Sequence, residues 1–136
     1  MSTPQRVAQA IWREDEATRA LGMQLEDIDA GRATLSMTVQ KHMTNGQKLC
    51  HGGYIFLLAD SAFGYACNSH NQRAVAAAAS IEFLAPAYVD DRLTAYASEV
   101  ERAERRGVYD VKVVNQNGQT VALLRGTAAT IKGTWI

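Results

Sequence analysis

One stretch of the chain constrains the fold most strongly. The segment from Gly52 to Cys67 is apolar on nearly every side and carries a single carboxylate, Asp60. It is too long for an ordinary strand, and a helix that is apolar all round is enclosed by other structure. We therefore predict a buried central helix over residues 52–69. In a chain of 136 residues, the remaining elements must wrap around it.

The segment before the first glycine, residues 1–21, is predicted to form an N-terminal helix. Thr3-Pro4 is typical of a helix start, since a hydroxyl caps the first turn and proline is tolerated there. A loose apolar stripe that includes Val7 and Ile11 follows on a charged background. Gly22 is a plausible stop.

The rest of the chain has the pattern of strands. From Ala33 to Val39 apolar and polar side chains alternate, which predicts a half-buried strand, paired as a hairpin with residues 23–29. Four more strands are predicted over residues 74–84, 93–101, 108–115 and 119–131. Asn117-Gly118 predicts a two-residue turn between the last two. The fold class is therefore α+β: one domain, 1–136, in which a curved antiparallel meander wraps the long helix.

Composition excludes several classes of function. Fourteen basic residues balance fourteen acidic ones, which argues against a nucleic-acid partner. No stretch reaches the ~18–20 apolar residues of a membrane span, and no secretory signal is visible at the start. The two cysteines, Cys50 and Cys67, form no disulfide framework, so we expect a reduced, cytoplasmic protein without a membrane partner.

The paired glycines at the predicted helix start, Gly52 and Gly53, are the first candidate for chemistry. They leave backbone N–H groups open to a ligand oxygen, and the helix dipole adds positive charge there. Such an end can stabilise an oxyanion. The alternative is that the glycines only permit a tight turn into the helix.

Asp60 is the second candidate. A lone carboxylate on an apolar helix must be compensated, or its pKa rises toward neutrality and it becomes able to act as a general base. The alternative is a structural acid satisfied by an arginine or by backbone donors.

The spacing of the two candidates has a consequence for assembly. Gly52 and Asp60 are separated by ~12 Å along a helix axis. One carbonyl held at the helix start cannot also meet Asp60 of the same helix. If both groups serve one reaction, two chains must supply them, as in a dimer with antiparallel helices.

The pattern Asn45, then His51-Gly52-Gly53, then Asp60 resembles the signature of hotdog-fold acyl-CoA thioesterases. It is most similar to the phenylacetic acid degradation (PaaI-type) thioesterases. Further likeness lies in residues 81–86, 107–110 and 114–116, so the resemblance spans most of the chain.

The resemblance implies a long helix wrapped by an antiparallel sheet, and a homodimer with two shared sites that doubles to a tetramer. It implies that Asp60 is the catalytic acid, as nucleophile or as base toward water. Gly53, with Gly52 beside it, corresponds to the donor that polarises the thioester carbonyl, and Asn45 to a side chain that places water or substrate. His51 corresponds to the motif histidine, which fixes the loop. The implied reaction is hydrolysis of phenylacetyl-CoA or a ring-hydroxylated form to the free acid and CoA, with no cofactor and no metal.

Two further assignments concern positions near the motif. Related thioesterases orient water with a hydroxyl, and here only Ser61 or Ser80 can supply it. Arg105 and Arg106, with Arg102 close by, are either a solvated turn or a clamp for the phosphates of CoA.

Other functions compete with this interpretation. Cys50-His51 suggests a thiol nucleophile, but adjacent side chains usually point apart. A hotdog dehydratase would use the histidine as its base in a differently built loop. A non-hydrolytic acyl-CoA sensor would bind the same substrate without cleaving it, and in a purely structural dimer Asp60 would merely be neutralised.

Overall fold

A single long helix lies against one face of a six-stranded antiparallel sheet. The computed structural model describes residues Met1–Ile136. The helices are α1 (Thr3–Glu14), α2 (Glu16–Ala20) and α3 (Gly52–Asn68), with a short 3-10 turn at Lys41–Met43. The strands are β1 (Gln24–Asp29), β2 (Arg32–Thr38), β3 (Ala74–Phe83), β4 (Arg92–Arg102), β5 (Arg106–Val114) and β6 (Thr120–Thr130). No helix is both long enough and apolar enough to cross a membrane.

The strand order, β1-β2-β4-β5-β6-β3, differs from a simple meander. β4, β5 and β6 follow one another as expected, but β3 lies at the far edge beside β6. Helix α3 runs alongside β3, because Gly52 at its start lies against the Phe83 ring and Asn68 at its end donates to the Ala74 carbonyl at 3.1 Å. The chain therefore reaches the far edge of the sheet in the loop between β2 and α3, where Cys50 N donates to the Ala87 carbonyl at 2.8 Å.

The core lies between α3 and the concave face of the sheet. Helix residues Leu58, Ala62 and Phe63 are almost completely buried. The Phe63 ring packs against Tyr109 of β5, with ring centroids 5.6 Å apart. Gly126 of β6 makes room for Phe63, because a Cβ there would lie 2.8 Å from its ring. The apolar pattern of the central segment is thus explained by enclosure, and the fold class is α+β as predicted.

The N-terminal segment is not the one continuous helix predicted over residues 1–21. The chain breaks at Asp15, whose Oδ1 accepts a hydrogen bond from Thr18 N at 3.3 Å and so begins α2. Aspartate competes with helical backbone bonds in this way and favours a cap over an interior position. The first cap is Ser2 rather than Thr3, and Gly22, with φ 70°, follows α2 as expected.

The turn between β5 and β6 is also longer than predicted. Gly118 N donates to the Asn115 carbonyl at 3.0 Å, so the turn covers residues 115–118, with Gly118 as its left-handed residue at φ 78°. Asn115 Oδ1 accepts from the backbone N–H groups of Asn117 and Gln119. This side chain, which has no part in a two-residue turn, extends the loop.

Candidate active site

The loop that leads into α3 is held by Asn45. Its Oδ1 accepts from Gln47 N at 2.9 Å and from Leu49 N at 3.2 Å, and its backbone N donates to the Leu49 carbonyl. Lys48 adopts φ 64° to close the loop. The Asn45 Nδ2 group has no partner in the chain, so this amide can donate to a bound molecule.

The two glycines at the start of α3 have different hydrogen-bond states. His51 caps the helix, and its Nδ1 accepts from Gly53 N at 3.2 Å. His51 N in turn donates to the Met43 carbonyl at 2.7 Å, which fixes the loop. Gly52 N has no partner among the hydrogen bonds of the chain. The free donor at the positive end of the helix dipole is therefore the Gly52 N–H.

Asn45 and Gly52 line one cavity of about 400 Å³, which we call the glycine cleft. Its other walls are apolar and come mainly from the segment after β3. They include Leu49, Ile55, Phe83, Leu84 and Pro86. A side chain at Gly52 would be crowded, since a Cβ would lie 3.0 Å from the Phe83 ring, but Phe83 is exposed and a small shift of its ring admits one methyl group. The cleft combines an apolar surface with two unpaired donors.

Asp60 lies in a different cavity of about 350 Å³, which we call the aspartate cavity. Its carboxylate is half-buried and forms no hydrogen bond or ion pair within the chain. Burial raises the pKa of Asp60, and the negative charge of Asp15 across the cavity raises it further. Asp15 itself is engaged, because Tyr65 donates its hydroxyl proton to Oδ2 at 3.1 Å. Asp60 is thus left as the carboxylate that can take a proton or attack a ligand.

No residue lines both cavities. The separation of ~12 Å expected along the helix therefore persists in the folded chain. Within one subunit, the donors of the glycine cleft and the Asp60 carboxylate do not face a common point.

The two candidate hydroxyls have different positions. Ser61 lines the aspartate cavity, and its Oγ lies 2.9 Å from Thr18 Oγ1. Ser80 is exposed on β3, opposite Arg125, and lies on the outer face of the sheet with Tyr96. Of the two, only Ser61 lies beside Asp60 within the chain.

The arginines Arg105 and Arg106 lie at the turn between β4 and β5, outside both cavities. Their carbonyls accept backbone hydrogen bonds from Thr130 and Ala103. Their side chains are exposed and form no ion pair, so both guanidinium groups are free to meet an anion.

The cysteine next to the motif is a poor nucleophile. Burial and the charge of Asp91 raise the pKa of Cys50 to about 11, and its Sγ lies 3.6 Å from the His51 carbonyl. A thiol with a raised pKa carries little thiolate near neutral pH. No group of three or more His, Cys, Asp or Glu side chains is arranged to hold a metal ion.

Two residues near Asp60, Asp15 and Trp135, were not predicted from the sequence. Both line the aspartate cavity. Asp15 looks like any other acid within a helical pattern, and only the break between α1 and α2 distinguishes it. Trp135 has no local signal either, since only folding brings the 131–136 segment back to α3.

Comparison with known proteins gives consistent matches. A sequence profile described as the thioesterase superfamily matches residues 47–122. The chain is 46% identical over 127 residues to the acyl-coenzyme A thioesterase PaaI of Escherichia coli, covering 93% of this chain and 91% of that protein. It is 35% identical to a putative esterase of Archaeoglobus fulgidus, over 90% of this chain and 80% of the relative.

Two solved structures extend the comparison. The E. coli PaaI protein from the phenylacetic acid degradation operon superposes with a TM-score of 0.96 at 45% identity, covering 97% of this chain and 96% of that one. A Streptococcus mutans protein solved bound to acetyl CoA has a TM-score of 0.79 at 28% identity, covering 82% and 90%.

The state of Asp60 predicts an unusual effect on stability. A carboxyl group whose pKa is raised by folding destabilises the folded state once the pH exceeds its ordinary pKa, and the penalty is complete above the raised value. Asp60→Asn should therefore increase the free energy of unfolding at neutral pH, and the gain should disappear below the ordinary pKa of aspartate. Urea unfolding at a fixed protomer concentration measures it.

Asp110→Asn is the control, because it should change the free energy of unfolding in the opposite direction. Arg125 lowers the pKa of Asp110, so this ion pair stabilises the fold above the ordinary pKa of the carboxyl and loses that effect in acid. Removing it should reduce stability at neutral pH by about 0–1 kcal/mol, as for exposed pairs. If Asp60→Asn lowers stability in the same way, Asp60 is a structural ion.

Proposed function

Because the chain belongs to the thioesterase superfamily and has its hotdog fold, we propose that it hydrolyses an acyl-CoA thioester in sites shared between two subunits. The main support for this proposal is the separation of two unpaired groups in the single chain. The single chain has an unpaired helix-start donor and an unpaired carboxylate, each in its own cavity, ~12 Å apart. Two α3 helices packed antiparallel about a two-fold axis would bring the glycine cleft of one subunit to the aspartate cavity of the other.

In the proposed site, the thioester carbonyl oxygen accepts a hydrogen bond from the Gly52 N–H. The motif resemblance assigns this role to Gly53. The Gly53 N–H, however, already donates to His51 Nδ1, whereas the Gly52 N–H is free. We therefore propose Gly52 as the donor. Gly53 then holds His51 in place as the cap. The helix dipole and the Asn45 amide add positive potential where charge develops in the transition state.

Asp60 of the partner subunit supplies the basic group. As a general base, it takes a proton from water while the water oxygen bonds to the carbonyl carbon. The tetrahedral species then collapses, the C–S bond breaks, and the thiolate of CoA leaves and is protonated. As a nucleophile, Asp60 would attack the carbonyl carbon, and the C–S bond would break with release of the CoA thiolate. Water would then hydrolyse the resulting anhydride to the free acid and restore the Asp60 carboxylate. In both proposed routes Ser61, which lines the same cavity as Asp60, orients the water, and the reaction uses no cofactor.

The relatives suggest the substrate and its setting. The E. coli relative is an acyl-coenzyme A thioesterase, and its structure is described from the phenylacetic acid degradation operon. We propose phenylacetyl-CoA or its ring-hydroxylated form as the substrate, which the protein hydrolyses to the free acid and CoA. This reaction would belong to phenylacetate catabolism. The proposal includes a cytoplasmic location, where the free thiols of Cys50 and Cys67 stay reduced, and a homotetramer built as a dimer of dimers.

Asp60→Asn is expected to lower kcat for phenylacetyl-CoA at least a hundredfold. Asparagine retains the shape but cannot take a proton, and a general base contributes about 10²–10⁴-fold. Release of free thiol measures turnover, and titration with a non-hydrolysable analogue measures binding, which should persist. If the wild type binds acyl-CoA and releases no thiol, the protein is a binding module rather than an enzyme.

The shared site predicts complementation between two inactive variants. Gly52→Pro deletes the free N–H at the first helical position, where proline is tolerated, and His51 already has the extended backbone that a following proline needs. In a mixed dimer of Gly52→Pro and Asp60→Asn chains, one site carries both defects and the other neither. Purified mixed dimers should regain about half of the wild-type activity.

Gly52→Ala is the matched control for this experiment. It places the same Cβ against Phe83 but keeps the N–H. The difference between the proline and alanine variants therefore measures the donor itself. Inactive mixed dimers would contradict a site shared between subunits.

Arg105→Ala and Arg106→Ala together are expected to raise KM for CoA thioesters more than they lower kcat. Contacts to the phosphates of CoA bind the ground and transition states alike. The pair Arg6→Ala and Arg13→Ala removes the same charge from the exposed side of α1 and serves as the control. An equal KM in both double variants would show that the two arginines form only a solvated turn.

A further inference from the structure

We propose that Gly64 and Trp135 form the floor and a wall of an acyl pocket in the aspartate cavity, and that this pocket selects a single aromatic ring. The inference rests on the proposed thioesterase function and adds to it the residues that choose the acyl group. Both residues line the cavity together with Asp60.

Gly64 is the first observation, because nothing in the packing of the chain explains it. Glycine is a poor helix former, and Gly64 lies in the middle of α3. Apart from its chain neighbours and the backbone of its own helix, a Cβ at Gly64 would have no atom within 4 Å, whereas one at Gly126 would strike the ring of Phe63. Gly64 follows Asp60 by four residues and therefore lies on the same helix face. The volume that glycine leaves open is beside the carboxylate.

Trp135 is the second observation, because its indole is held by contacts on several sides. Nε1 donates to Asn68 Oδ1 at 2.9 Å, and the backbone N donates to Asn71 Oδ1 at 2.9 Å. The Arg73 guanidinium lies 3.9 Å from the centre of the ring. Asn68 also donates from Nδ2 to the Gly64 carbonyl at 2.8 Å, which links wall and floor. A side chain restrained in this way presents a rigid flat surface.

The charge of the cavity indicates which part of the substrate it receives. No lysine or arginine lines it, and it contains two carboxylates, Asp15 and Asp60. The phosphates of CoA would be repelled there, whereas an uncharged acyl group would not. Apolar side chains from α1 and α3, Ile11 and Leu57, complete the walls.

The size of the cavity limits the acyl group. Its volume of about 350 Å³ is at the small end of the range for small-molecule sites, about 300–1,000 Å³. A compact ring fits this space and can lie against the indole of Trp135.

The test is the ratio of kcat/KM for phenylacetyl-CoA to that for acetyl-CoA, measured in full-length Gly64→Ala and Gly64→Leu. Both esters share the CoA arm, so the ratio responds to the acyl group alone. Gly64→Ala should lower the ratio about tenfold, because one methyl group in an apolar pocket is worth about 10–200-fold, and Gly64→Leu should lower it further. Gly64→Ala should melt no lower than the wild type, since its Cβ meets open space.

Trp135→Ala tests the wall and should also lower the ratio about tenfold. Tyr96→Ala is the matched control, because Tyr96 is an exposed aromatic side chain on the outer face of the sheet, outside both cavities. It should leave the ratio at the wild-type value.

The outcomes separate the inference from the proposed function. If Gly64→Ala and Trp135→Ala lower kcat/KM for both esters by the same factor, the cavity holds the shared CoA arm and the inference is wrong while the function stands. An unchanged ratio with unchanged rates also overturns it. If the wild type hydrolyses neither ester, the proposed function fails, and the acyl pocket fails with it.

Discussion

The packing of α3 against the concave face of the sheet is the contact on which the rest of the structure depends. Its buried side chains, Leu58, Ala62 and Phe63 among them, supply the apolar surface that six strands cover. Burial of apolar area is the main favourable contribution to folding, so the helix fixes where the sheet must curve. The length of the same helix separates the glycine cleft from the aspartate cavity.

The groups that we assign to chemistry are those that the fold leaves unsatisfied. Gly52 N–H and Asn45 Nδ2 have no partner, and Asp60 is half-buried without a hydrogen bond, next to the charge of Asp15. Gly64 weakens the helix without a packing reason. The half-buried charge of Asp60 and the helical glycine reduce stability, and all four residues line a cavity. Such departures from good local packing are expected where a structure is adapted to bind and transform a ligand.

Most of the candidate site residues could be proposed from the sequence because they are local in the chain. The loop from Asn45 to His51, the two glycines and Asp60 lie within sixteen positions, and helical geometry relates them without knowledge of the rest. What distinguishes Gly52 from Gly53 could not be predicted, since it depends on the rotamer of His51 and its hydrogen bond to Gly53 N. The break at Asp15 was also missed, because an acid that caps a helix and one that lies within it look alike in a helical pattern.

The amino-acid sequence by itself determined the element types, the enclosure of α3 and the spacing of the donor and the carboxylate. These follow from periodicity and from the rise of a helix, both of which are properties of neighbours in the chain. Only the tertiary structure decided the strand order, the partners of each polar group and the composition of the aspartate cavity. Asp15, Asp60 and Trp135 meet there from three distant segments, and the raised pKa of Asp60 arises from that meeting. Burial and through-space charge depend on distances between segments, which no local pattern contains.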